Sequence, residues 1–226
     1  MSQEVLRTGT LYLLALVISL SFHEFAHAWA AMKCGDNTAK SQGRLTLNPL
    51  RHLDFFGTIM LVILAYQGIG LGWAKPVPVD ASHLKKRALG LISLLGPVSN
   101  LVLALVFYQL FVVFRLVSDF PLPPNAPAVL GFDFLMIAIQ VNLTLFVFNL
   151  IPVFPLDGAK VLSGLLPAAL GRRCDAFFAR FGIFPLLFLI LWEWILPFPG
   201  PISLIFKEIL PFLLSALSYT SFWTNL

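Results

Sequence analysis

The chain has 226 residues, 58% of them hydrophobic and 12% charged, against about 45–50% apolar and about 25% charged in ordinary soluble domains. That balance excludes a soluble globular domain, a disordered chain and collagen-like or mucin-like stalks. The 15 Lys and Arg outnumber the 11 Asp and Glu, for a net charge of +4, but they cluster between apolar runs as cytoplasmic loops do, so the excess reports membrane topology and not nucleic-acid binding.

Six apolar segments are predicted, at about residues 11–32, 55–71, 89–117, 134–152, 181–196 and 202–222, and several reach the roughly 20 residues a helix needs to cross a bilayer. The expected fold is an all-α polytopic membrane protein in one domain, residues 1–226, without internal repeats. About five helices should span, with one re-entrant segment and short extended strands at the membrane surface. The first segment imitates a signal peptide, with Arg7, an apolar core and A-x-A patterns from Ala26 to Ala30. Because the apolar run continues to Met32, a retained helix is expected.

That helix carries HEFAH at residues 23–27, an H-E-x-x-H pattern. Positions i and i+4 share one helix face, so His23 and His27 can reach one ion, and Glu24 lies beside them without being a ligand. At a rise of about 1.5 Å per residue, His27 lies about 9 Å and His23 about 15 Å from Lys33. The three ionisable groups are therefore inside an apolar span, where such groups are costly and usually functional. The structural alternative is two histidines satisfied by backbone carbonyls beside a protonated Glu24.

Next come GRLTLNP at residues 43–49 and WAKPVPV at residues 73–79, which read as short extended pieces near the bilayer surface or as plain connecting loops. Between them the second segment holds Gly57, Gly68 and Gly70. Asn100 and Asn142 sit in the third and fourth segments, where an amide bridging helices or serving carbonyls freed by Pro97 is expected. Pro121, Pro123, Pro124 and Pro127 form a short stiff connection.

The fourth segment ends in NLIPVFPLDG, residues 149–158. A catalytic zinc generally takes three protein ligands and leaves one position open. His52 and His83 lie in loops, whereas Pro152 and Pro155 allow the backbone before Asp157 to be re-aimed; by itself Pro-x-Asp-Gly reads as an ordinary turn, but paired with the intramembrane H-E-x-x-H it makes Asp157 the favoured third ligand. Cys34 and Cys174 fit neither a zinc ribbon nor a disulfide framework and are expected reduced and without chemistry. Glu193, between Trp192 and Trp194, is expected at the interface beside an aromatic belt.

The intramembrane H-E-x-x-H and the NLIPVFPLDG run together resemble the site-2 protease family of intramembrane zinc metalloproteases. GRLTLNP, GWAKPVP at residues 72–78 and GPVSN at residues 96–100 add to the likeness. The resemblance implies one zinc ion per chain on His23, His27 and Asp157, Glu24 as general base, and Asn149 as a polar stabiliser near the scissile peptide. It further implies a prokaryotic membrane-core branch without PDZ or CBS domain, with a catalytic core at about residues 10–165 and C-terminal helices at about 180–224. The expected partners are transmembrane protein or peptide substrates and the lipid bilayer, with no nucleic acid.

Lys33, Lys40, Arg44 and Arg51 make the end of the first segment cytoplasmic, and Lys160, Arg172, Arg173 and Arg180 do the same after Asp157. The two motif-bearing segments then run in parallel, the N-terminus lies outside the cell membrane, and the site opens toward the cytoplasm. One outward crossing must separate them, so residues 55–71 are expected to re-enter and return. A metal-binding transporter or sensor using the same His and Asp cluster is the competing function, and an inactive substrate-presenting scaffold a third.

Overall fold

The computed structural model describes residues 2–67, 72–117 and 127–220. They form nine α-helices and one 3-10 turn: α1 (Gln3–Lys33), α2 (Thr38–Ser41), the turn Pro49–Arg51, α3 (Phe55–Gln67), α4 (Lys86–Val117), α5 (Pro127–Asn149), α6 (Asp157–Leu165), α7 (Ala168–Phe181), α8 (Phe184–Ile195) and α9 (Pro201–Thr220). Gly68, Gly70, Pro121, Pro123 and Pro124 fall outside the described residues.

Helix α1 begins at Ser2, whose hydroxyl accepts the Val5 N–H at 3.3 Å, and the chain turns away at Gly35, where φ is 97°. A capping hydroxyl and a left-handed glycine are the ordinary start and stop of a helix. Three helices are long and apolar enough to cross a membrane: α1, α4 and the Ala128–Asn149 part of α5. Counting α7 and α8 as one span bent by 71° adds a fourth. The expectation of five is thus met by three or four, because Gly182 at φ 52° breaks α7 from α8, and the 12 residues of α8 cover only about 18 Å.

The three long helices form the core of a multi-pass membrane protein. Helix α4 runs against α1, with Ile92 opposite His27 and Asn100 opposite Ser19. Helix α5 runs parallel to α1. Arg7 pairs with Asp133 at 2.8 Å at one end, and the chain leaving α5 returns to α1 at the other. Small side chains allow the close approach that membrane helices use: Ala15 and Ala138 are buried together, and Ala104 packs under Ile139 and Leu143. Val102, Leu110 and Val113 of α4 stay exposed, an apolar outer face suited to lipid.

The 13 residues of α3 span about 20 Å, short of the roughly 30 Å hydrocarbon core. Its far end approaches the start of α1, where the Tyr66 and Thr10 hydroxyls meet at 2.9 Å. At its near end Leu53 and Ala74 pair in an isolated antiparallel bridge, so the chain enters and leaves this excursion at one level. That bridge is all the β-pairing among the described residues, where short strands were expected. The reason is local: Pro76 and Pro78 have no N–H, so residues 73–79 stay extended but cannot propagate a ladder.

Two contacts finish the frame. A Cβ on Gly164 of α6 would come 2.9 Å from the Gly90 Cα of α4, so only glycine allows this backbone-to-backbone docking, which holds the end of α6 against α4. Glu193 ties α8 to α9, accepting the Gly200 and Ser203 N–H groups at 3.2 and 2.9 Å. The expectation for it was an interfacial position, and its carboxylate caps a helix.

Candidate metal centre

His23, Glu24 and His27 project from the same stretch of α1 and are 5%, 8% and 9% exposed. The two imidazoles stand one turn apart with their Nε2 atoms 3.0 Å from each other. Asp157, the first residue of α6, brings Oδ2 to 3.0 Å from His23 Nε2 and 3.1 Å from His27 Nε2. Among the described residues these three form the group of His, Cys, Asp or Glu side chains able to hold one metal ion.

The far side of each imidazole fixes its tautomer. His27 Nδ1 lies 2.8 Å from the Ile92 carbonyl oxygen, which can only accept, so the proton sits on Nδ1. His23 Nδ1 lies 2.7 Å from Asn100 Oδ1. The orientation of that amide is itself fixed, because Asn100 Nδ2 donates to the Ser19 carbonyl at 3.3 Å and to Asn142 Oδ1 at 3.1 Å. Asn142 in turn donates to the Ala138 carbonyl at 2.8 Å. Both Nε2 lone pairs are left facing Asp157, the second-neighbour arrangement that orients metal-binding imidazoles.

Gly96 makes room for this. A Cβ there would come 2.3 Å from His27 Nε2 and 2.7 Å from His23 Nε2, so α4 crosses the site as bare backbone. Glu24 stands outside the triangle, its Oε2 accepting the Val77 N–H at 2.9 Å. Asn149 closes α5, where its Nδ2 donates to the Leu145 carbonyl of its own helix at 3.0 Å; it is not one of the three converging groups. His52 is buried and held by the Thr46 carbonyl at 2.7 Å, and His83 is exposed. Neither joins the cluster.

Sequence reasoning expected Asn100 and Asn142 to bridge helices, which they do, and missed that Asn100 also holds His23. The available signal was spacing: Gly96 and Asn100 are one helical turn apart, so both face α1. For Val77 there was none, since a backbone N–H leaves no mark on the side-chain sequence.

The profile of peptidase family M50 matches residues 124–192, a stretch that includes Asn149 and Asp157. YwhC of Bacillus subtilis, provisionally named a zinc metalloprotease, is 46% identical over 157 residues, 68% of each chain. Rip2 of Mycobacterium tuberculosis, named in the same way, is 38% identical over 150 residues, which cover 65% of this chain but 54% of Rip2. A Methanocaldococcus jannaschii protein, again so named, is 30% identical over 151 residues, 67% of this chain and 68% of its own. No solved structure matches significantly. With these relatives and this family profile, the chain belongs to peptidase family M50.

Proposed function

We propose that the protein is a zinc-dependent intramembrane endopeptidase that hydrolyses peptide bonds within transmembrane segments of other membrane proteins. The observation that carries this is the convergence of two imidazole Nε2 atoms and one carboxylate oxygen, both Nδ1 atoms being engaged elsewhere. The residues fit zinc. The donor atoms of His23, His27 and Asp157 lie 3.0–3.1 Å from one another, close enough for these three residues to hold one zinc ion between them. Two nitrogens and one oxygen are a donor set of a catalytic zinc site with one position left open.

When bound, zinc acidifies water and polarises a carbonyl. Glu24 accepts the proton of the attacking water as its oxygen bonds to the scissile carbonyl carbon, and returns a proton to the amine as the C–N bond breaks. Asn149 serves the substrate backbone or the developing oxyanion through its amide. The basic residues around Lys33 and Arg172 support a topology with the N-terminus outside and the site toward the cytoplasm. In it α1, α4 and α5 cross, the bent pair α7 and α8 makes a fourth span, and α3 re-enters without crossing.

The test is cleavage of a model transmembrane substrate by the purified protein in lipid nanodiscs, with zinc analysis of the same samples. Cleavage abolished by chelation and restored by zinc, and lost in Glu24→Gln with zinc retained, supports the reading. Stoichiometric metal with no cleavage by the unaltered chain, together with metal flux across vesicles, would establish the transporter alternative.

A further inference from the structure

Glu24 is buried, yet its recorded hydrogen-bond partner is a backbone N–H in a loop, and that loop is held by a side chain with no other evident task. Arg44 is 7% exposed, and among the described residues no carboxylate pairs with it. A guanidinium is rarely buried without an anion. Here Nη2 donates to the Lys75 carbonyl at 2.6 Å and, at 3.4 Å, to the Pro76 carbonyl. We propose that Arg44 is a positioning residue for the reaction, fixing the extended segment Lys75-Pro76-Val77 so that the Val77 N–H sets the orientation of the Glu24 carboxylate. This rests on the reading of Glu24 as general base.

The path is short and every link is a hydrogen bond. The turn before Arg44 is made by Gly43 at φ 65°, and the Arg44 N–H is tied to the Ala39 carbonyl at 2.8 Å. The segment it grips is pinned again upstream, where the Lys75 N–H donates to the His52 carbonyl at 2.7 Å. His52 is anchored in its turn, its ring Nε2 donating to the Thr46 carbonyl at 2.7 Å. Val77 sits between Pro76 and Pro78, neither of which has an N–H. Its amide is therefore the one donor between Lys75 and Val79, and it points at Glu24 Oε2.

A carboxylate needs such a partner because its terminal torsion is soft and broad, and a hydrogen bond to an ionised oxygen is about twice as strong as a neutral one. Holding one oxygen with a fixed amide determines where the other faces. Arg44 reaches the carbonyls of the two residues before Val77, so releasing it displaces the amide directly. An inhibitory strap would use the same contact with the opposite consequence for rate. The segment is instead pinned by Arg44, by His52 and by the Leu53–Ala74 bridge, which suits a fixed support better than a releasable cover.

The experiment uses the purified full chain in nanodiscs with a model transmembrane substrate, and four variants: Arg44→Gln, Arg44→Lys, Val77→Pro, which removes the donor N–H, and the double variant Arg44→Gln/Val77→Pro. All four are expected to keep stoichiometric zinc. Single-turnover rates should fall about 10–100-fold in Arg44→Gln and in Val77→Pro with little change in KM, the scale of a small misplacement of a reacting group. The double variant should be no slower than the slower single one, since both remove the same link. Arg44→Lys, which can still donate to the Lys75 carbonyl, should recover part of the rate. Deuterium exchange adds a readout independent of cleavage: the Val77 amide should be protected in the unaltered chain and exchange faster in Arg44→Gln.

An unchanged or increased rate in Arg44→Gln, multiplicative losses in the double variant, or loss of zinc would overturn the proposal. If Arg44→Gln does not fold, Arg44→Lys decides: reduced rate with faster exchange at Val77 supports it, and full rate with fast exchange sinks it. Full activity in Glu24→Gln would instead defeat the general-base reading, an outcome separable from these because Val77 protection is read without substrate.

Discussion

The two imidazoles and the carboxylate beside them belong to one stretch of one helix but are held by different kinds of structure. His23 and His27 are oriented from α4, by Asn100 and by the Ile92 carbonyl, so their geometry follows from how two long helices pack. Glu24, between them in sequence, is oriented by a loop. Rigid elements place a site more accurately than loops do. The metal side is therefore built for permanence, and the base side depends on how well residues 73–79 are anchored. Damage to the first should appear as lost metal, damage to the second as lost rate with metal in place.

The largest effect is expected where the packing itself is touched. His23→Ala, His27→Ala and Asp157→Ala should each purify without zinc and show no measurable cleavage, because two ligands make a weak site. Gly96→Ala should match them although no ligand changes, since its Cβ would land on His27 Nε2; stoichiometric zinc in that variant would break the contrast drawn above. Glu24→Gln comes next, with zinc unchanged and single-turnover cleavage down about 10²–10⁴-fold, the usual weight of a positioned acid or base.

Asn149→Ala sharpens the contrast at a third place, the end of α5. If its amide serves the oxyanion, kcat should drop about 10²–10³-fold at constant zinc content and nearly constant KM. A normal rate with a lowered melting temperature would leave it the single task of bonding the Leu145 carbonyl. The smallest effect belongs to Asn100→Ala, expected to weaken zinc affinity about 10–100-fold by freeing the His23 ring, as measured by competition with a fluorescent chelator.

What could be read from sequence follows from which groups carry the information. His23, His27 and Asp157 are side chains at helix positions, so periodicity and the break at Pro152 and Pro155 were enough to bring them together on paper. The basic residues that follow both motif-bearing segments likewise implied that α1 and α5 run parallel. The strands expected at residues 43–49 and 73–79 shrank to one bridge because alternation signals an extended chain and says nothing of whether its neighbours, here Pro76 and Pro78, can donate. The bend between α7 and α8 escaped because hydropathy averages over Gly182, whose φ of 52° turns the chain. The Arg44 and Val77 contacts were illegible because carbonyls and amides are the same at every position.

The proposed ligands come from α1 and α6, His23 and Asp157 being 134 positions apart in the chain. An ion bound there acts as a crosslink between the beginning of the chain and its second half, closing a loop that the unfolded chain leaves open. Such a site binds the folded chain and not the unfolded one, so free zinc at about a thousand times its dissociation constant would add about 4 kcal/mol of stability. Metal supply would then set how long the protein survives in the membrane as well as how fast it works.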